Sequence, residues 1–115
     1  MAVAPNRGEI WVANLDPTKG HEQAGTRPVV IVSSNIFNHG PATLVIVVPL
    51  TRTDRHLPYH VEVNPPEGGV RDRSFIMCEA VRSITKDRLI GSPWGTVTPQ
   101  TVAKVIDIIA TLLEV

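Results

Sequence analysis

Arg27 stands at the mouth of the most hydrophobic stretch of the chain. It closes a polar run, "DPTKGHEQAGTR" (16–27), that holds Gly20 and Gly25, and it opens directly into Pro28-Val29-Val30-Ile31-Val32. A second aliphatic run, "TLVIVVPLT" (43–51), ends on Thr51 and is followed at once by Arg52. If the runs 27–34 and 43–51 pair antiparallel, the start of one and the end of the other share a sheet edge, and Arg27 meets Thr51 across 24 positions of chain. Glu22 and Gln23 can then fold back on that edge. Two readings fit. In one, Arg27 pairs with Glu22 to pin the loop, and Thr51 is an ordinary strand-end hydroxyl. In the other, a guanidinium, a hydroxyl and a carboxylate converge on a site without a metal.

The second reading suits a phosphodiester. An arginine with its pKa above about 12 stays charged, so it neutralises charge building on phosphoryl oxygens instead of acting as a base. Threonine donates a hydrogen bond to the same oxygens. RNA carries its own nucleophile in the 2′-hydroxyl. A protein that orients this hydroxyl and stabilises the transition state can cleave the strand, leaving a 2′,3′-cyclic phosphate and a 5′-hydroxyl.

Other chemistries find little support. No glycine-rich phosphate loop precedes a helix, and no Cys or His cluster has zinc spacing. His56 and His60 are four apart, but Pro58 between them prevents a helical pair. "SSN" lacks the glycines of a nucleophile elbow. No metal or cofactor is expected. Cys78, the only cysteine, sits in apolar "FIMCEAV" and reads as an inert core thiol of a reducing, cytoplasmic setting. The start "MAVAPNRGEI" has no leader-like apolar segment, and no run is long enough to span a membrane.

The 115 residues are enough for one domain, 1–115, and too few for two. Eleven basic and eleven acidic residues cancel, so any polyanion binding must be local and shaped. Eight of the eleven basic residues are arginine, whose planar fork matches phosphate. Arg52, Arg55, Arg71 and Arg73 cluster in loops; either they contact phosphates or they pair with the nearby Asp54, Asp72 and Glu67.

The elements that must position these residues are short. "EIWVANL" (9–15), 27–34 and 43–51 read as strands, with Pro49 placing the end of the third at an edge or bulge. A turn-rich connection with one short helical turn covers 35–42. "YHVEVN" (59–64) alternates, with His60, Glu62 and Asn64 on its polar face. "PPEGGVRDR" (65–73) is a loop, and 74–84 is a strand with a break near Glu79-Ala80. "TKDRL" is a helical turn with Thr85 as cap, and "WGTV" (94–97) a short strand. Thr98-Pro99 then caps an amphipathic helix through Val102, Val105, Ile106, Ile109, Leu112 and Leu113. Five or six strands and one closing helix predict a small, strongly bent antiparallel sheet or partly closed barrel.

The stretch "RGEIWVANLDPTKGHEQAGTRPVVIVS" (7–33) closely resembles the opening of the MazF/PemK toxin family, the mRNA interferases of bacterial toxin–antitoxin systems. "VPLT" (48–51), "LPYHVEV" (57–63) and "EAVRSI" (79–84) continue the likeness in order. The resemblance implies a mainly β fold with a C-terminal helix, a small SH3-like antiparallel barrel of the CcdB/PemK kind. It implies a homodimer that cleaves single-stranded RNA without metal at short motifs, silenced by a cognate antitoxin laid across the RNA groove. By the same resemblance Arg27 and Thr51 fall on the catalytic positions, and Glu22 on a loop glutamate implicated in activity. Lys19, His21 and Gln23 join Arg52, Arg55, Arg71 and Arg73 as candidate RNA contacts. His21 stands where many relatives carry Ser, and Ala80 where some carry Gln, which bears on the RNA motif cleaved. His21 is also a candidate for proton transfer. The alternative on the same fold is a CcdB-like toxin that binds a protein target such as gyrase and needs no Arg27/Thr51 pair.

Overall fold

The computed structural model describes residues 4–16 and 25–115. Seven strands make one antiparallel sheet: β1 (Glu9–Asn14), β2 (Thr26–Ile31), β3 (Leu44–Thr51), β4 (His60–Val63), β5 (Ser74–Met77), β6 (Arg82–Thr85) and β7 (Leu89–Thr96). Their order is β4-β5-β3-β2-β1-β7, with β6 also on β3. The sheet bends without closing between β4 and β7 among the described residues. Among the described residues two α-helices complete the fold, α1 (Asn35–Asn38) and α2 (Pro99–Leu113). No helix among the described residues is long and apolar enough to cross a membrane.

The aliphatic runs of β2 and β3 lie at the centre because both of their faces are covered. Val30, Val48 and Leu50 join Val102 and Val105 of α2 in one core cluster. Val29, Ile31, Val45 and Val47 join Trp11, Leu15 and Ile84 in a second. Successive residues of a strand point to opposite faces, so odd-numbered positions of β2 and β3 serve the face away from α2.

Two prolines shape the centre. Just past β2, Val32 N donates to Ile46 O at 2.9 Å, so the backbone groups of residues 32, 30 and 28 are directed toward β3. Pro28 has no N–H to give, and the β2–β3 ladder stops one residue short of it, at Val29 paired with Pro49. Pro49 directs its missing donor to the other side of β3. There, β6 pairs residues 44–47 and β5 pairs 50–51. The proline fills the handover, where no ladder bond is lost. The expectation of an edge is thereby corrected: β3 is central, and Pro49 marks a change of partner.

The break expected near Glu79-Ala80 is a 3₁₀ turn at Cys78–Ala80 that separates β5 from β6, and another 3₁₀ turn at Lys86–Arg88 follows Thr85. Strand β7 is longer than "WGTV": Leu89 and Ile90 already pair with Ala13 and Val12 of β1, and the Gly, Ser and Pro that follow sit where the register shifts before Gly95 pairs with Ile10. His60 also departs from its expected polar face. Its side chain is only 2% exposed, and its Nε2 lies 3.0 Å from Glu79 Oε2. Its register with Met77 brings the Cys78–Ala80 turn against it.

Helix α2 begins as its residues demand. Thr98 Oγ1 accepts from Thr101 N at 3.2 Å, and Pro99 occupies the first turn, where a missing N–H is harmless. Glu67 adds a second cap: its Oε2 accepts from Thr98 N at 3.1 Å and from Thr101 Oγ1 at 2.5 Å. Burial acts to raise this carboxyl. The bonds from Thr101 and Thr98 outweigh it and hold Glu67 below the usual carboxylate range. At the other end the helix leaves Leu112, Leu113 and Val115 exposed.

Candidate functional site

The polar loop leaves and re-enters the sheet through a closed stem. Leu15 N donates to Gly25 O at 2.9 Å, and Gly25 N donates to Asp16 Oδ1 at 2.9 Å. Arg88 ties the stem from β7's side, donating to Asn14 O at 3.1 Å and to Asp16 O. Thr26, the residue after Gly25, already pairs with Asn14 in the β1–β2 ladder. Arg27 therefore sits on ordered strand, paired with Ala13 of β1. Lys19, His21, Glu22 and Gln23 lie outside the described residues.

Carrying the register of Val29 with Pro49 two residues further sets Arg27 opposite Thr51. The two share one face as well. Arg27 continues the parity of Val29 and Ile31, and Thr51 that of Val45 and Val47, all four in the same core cluster. Both line one hollow of about 760 Å³, a volume typical of ligand pockets. Its rim carries Arg52 and Arg71, so three guanidinia with Arg27 face one carboxylate, Asp72. A chain of zero net charge thus concentrates positive charge at one place.

The hydroxyl of Thr51 is oriented. Thr53 N donates to Thr51 Oγ1 at 3.2 Å, which occupies an acceptor lone pair and leaves the hydroxyl proton for a ligand. Arg52 Nη1 lies 3.5 Å from Asp72 Oδ2, but both side chains are mostly exposed, so water screens the pair and it yields readily to a phosphate. Arg71 has no ion pair among the described residues.

Arg55 and Arg73 do not line the hollow. Arg73 grips Glu62 with two parallel bonds of 3.0 Å, from Nε and Nη2, and reaches Asp54 at 3.4 Å. Its guanidinium also stands 5.0 Å over the Phe75 ring. The hydrogen bond from Arg73, joined by one from Asn64, holds Glu62 down to about 2. The geometry does not bring Arg73 to the hollow: its fork engages Glu62 of β4 and Asp54 of the loop before it. Glu67, the other expected arginine partner, caps α2 instead.

The fourth wall escaped the reading of the sequence. Gly69, Val70 and Trp94 line the hollow opposite the strand ends. Gly69 has φ +77, and a Cβ there would lie 2.3 Å from Trp94 O. Only glycine permits this backbone contact, which docks loop 65–73 on β7 and carries Arg71 to the rim. The available signal was an aromatic in "GSPWGT", a segment too rich in Gly, Ser and Pro to be core.

Residues 6–113 match the family model of the PemK-like, MazF-like toxin of type II toxin–antitoxin systems. The chain belongs to this toxin family. Among its relatives, Endoribonuclease EndoA of Bacillus subtilis is 36% identical over 84 residues, covering 72% of each chain. In structure, this PemK/MazF-family chain superposes on MazF from Deinococcus radiodurans with a TM-score of 0.87, over 98% of this chain and 99% of that one, at 24% identity. A mycobacterial endoribonuclease in complex with its cognate antitoxin gives a TM-score of 0.74 at 28% identity, over 97% and 95% of the two chains. The sheet and helix described above are those of the MazF fold.

Proposed function

We propose that this toxin-family chain is an endoribonuclease and that the hollow between Arg27 and Thr51 is where it cleaves single-stranded RNA. The observation that carries the proposal is the meeting of these two side chains on one face, in one pocket, with Arg52 and Arg71 on its rim. In this reading the scissile phosphate lies between Arg27 and Thr51. The 2′-oxygen attacks phosphorus in line, and the bond to the 5′-oxygen breaks. Arg27 neutralises the charge on the phosphoryl oxygens, and the Thr51 proton bonds to one of them. Glu22, five residues before Arg27, is the carboxylate assigned to accept the 2′-hydroxyl proton. The leaving 5′-oxygen takes a proton from water. Arg52 and Arg71 hold flanking phosphates. No step requires a metal, because the nucleophile is intramolecular and the charge is met by guanidinium.

The partner side of the proposal is a homodimer inhibited by a cognate antitoxin. The exposed Leu112, Leu113 and Val115 at the end of α2 supply apolar surface for a second subunit, and the mycobacterial relative is seen with its own antitoxin.

The test is incubation of wild type, Arg27→Ala and Thr51→Ala with mixed-sequence single-stranded RNA in EDTA, with the fragment ends sequenced. Site-specific fragments bearing 5′-hydroxyls from wild type, lost in both variants, are expected. Intact RNA across a library of short motifs, with folded wild-type protein, would overturn the proposal and make gyrase inhibition the next assay.

A further inference from the structure

We propose that Trp94 is a stacking platform for an RNA base adjacent to the reacting phosphate, a binding role beyond the Arg/Thr chemistry. The inference rests on the RNA-cleaving reading of the hollow. Trp94 is 45% exposed, and it lines the same hollow as Arg27 and Thr51. The other tryptophan, Trp11, is buried in the core with its indole N–H held by Glu9 Oε1 at 3.1 Å. Trp94 by contrast is half-exposed on an edge strand, so part of its surface is open to a ligand. Its main chain is held firmly. Gly69 lies against the Trp94 carbonyl, and a Cβ on Gly95 would sit 2.9 Å from Gly68 C. Trp94 is thus a half-exposed residue on a closely packed stretch of backbone, lining a hollow that also holds Arg27, Arg52 and Arg71.

This division of labour fits a single strand. Guanidinia bind phosphates, but they cannot hold a splayed nucleotide at a fixed angle. An aromatic face can, because every base has a π-surface to lay on it. A stacked base fixes the sugar beside it, and so the direction of that sugar's 2′-hydroxyl. Trp94 is therefore a substrate-positioning residue.

The experiment uses intrinsic fluorescence, since only Trp94 of the two indoles is exposed. The probe is a mixed-sequence 2′-O-methyl oligoribonucleotide of about ten nucleotides, in the range of single-strand sites, which cannot be cleaved. An abasic strand of the same length is the control. Saturable quenching by the base-bearing strand, absent with the abasic one and absent in Trp94→Phe, is expected. Trp94→Ala should weaken binding about 5- to 100-fold, raising KM for cleavable RNA with kcat nearly kept, and Trp94→Phe should restore most of the affinity. Unchanged affinity in Trp94→Ala, or an equal loss for the abasic strand, would overturn the proposal. Arg27→Ala separates the two readings: it should still be quenched while cleaving nothing. Quenching by a wild-type protein that cleaves no RNA would sink the nuclease and leave the platform standing.

Discussion

Arg27 and Thr51 line one hollow from adjacent strands, each two residues beyond the last β2–β3 pair, Val29 with Pro49, where the ladder ends at Pro28. The roles proposed for them differ, and so do the tolerated substitutions. Arg27→Lys keeps the charge and loses the fork; kcat should fall about 100-fold. Thr51→Ser keeps the hydroxyl and should stay within about tenfold of wild type, whereas Thr51→Ala should lose about 100- to 1000-fold. Single-turnover cleavage measures all three. Full activity in Arg27→Lys would show that charge alone suffices.

Gly69→Ala tests the docking of loop 65–73. The positive φ costs about 1–2 kcal/mol for any residue with a Cβ, and the contact with the Trp94 carbonyl adds to it. Urea unfolding should show a lower midpoint with the slope unchanged. RNA binding should weaken too, since the loop carries Arg71 and its partner wall carries Trp94. An unaltered midpoint would mean that the loop does not rest on β7.

Glu62 links stability to acid. Its carboxyl is lowered from 4.5 to about 2 by the bonds from Arg73 and Asn64. A depressed folded-state pKa stabilises above the unfolded value, and the benefit is lost as pH falls through the folded one. The loss should therefore fall between pH 4.5 and about 2. Glu62→Gln should flatten that part of a Tm-against-pH curve and leave pH 7 cleavage near wild type. A curve of unchanged shape would show that the pair contributes nothing to folding.

The helix cap is expected to be a local strength. Glu67→Ala removes the acceptor of Thr98 N and Thr101 Oγ1, at a cost of about 1–2 kcal/mol. Because Glu67 is also depressed, its contribution has the same sign with pH as that of Glu62. Chemical denaturation at pH 7 measures it, and Thr98→Ala should lose about 1 kcal/mol more weakly coupled to acid.

Cys78 should be silent. It is fully buried, and burial, followed by the charge of Glu79, pushes its thiol up to about 12. Iodoacetamide at pH 8 should leave the native protein unlabelled and label it in denaturant. Native labelling at the rate of a free thiol would contradict the packing of β5.

Much of this was legible from residue types. The aliphatic runs of β2 and β3 announced buried strands by residue type alone, although Pro49 pointed to an edge that the sheet does not have there. Thr98-Pro99 fixed the start of α2, since cap and first-turn proline are local chemistry. The juxtaposition of Arg27 and Thr51 needed only the assumption of antiparallel pairing, and the family resemblance came from a contiguous motif. Other features were hidden. β7 begins five residues before the aromatic that announced it, because Leu89 and Ile90 pair with β1 ahead of a register shift that takes up the Gly, Ser and Pro. Arg73 and Arg71 look alike in "VRDR", yet one is gripped by Glu62 and the other stands on the rim.

The sequence by itself determined which strands are buried, where the helix starts, the family, and the pairing that brings an arginine to a threonine. These follow from local backbone chemistry and from periodicity, which neighbours along the chain express directly. Only the tertiary structure decided which arginines are spent on carboxylates, where His60 lies, and that Trp94 faces the same hollow as Arg27. Those outcomes depend on the register and bend of a sheet whose partners lie tens of residues apart, and on a glycine that lets one backbone rest on another.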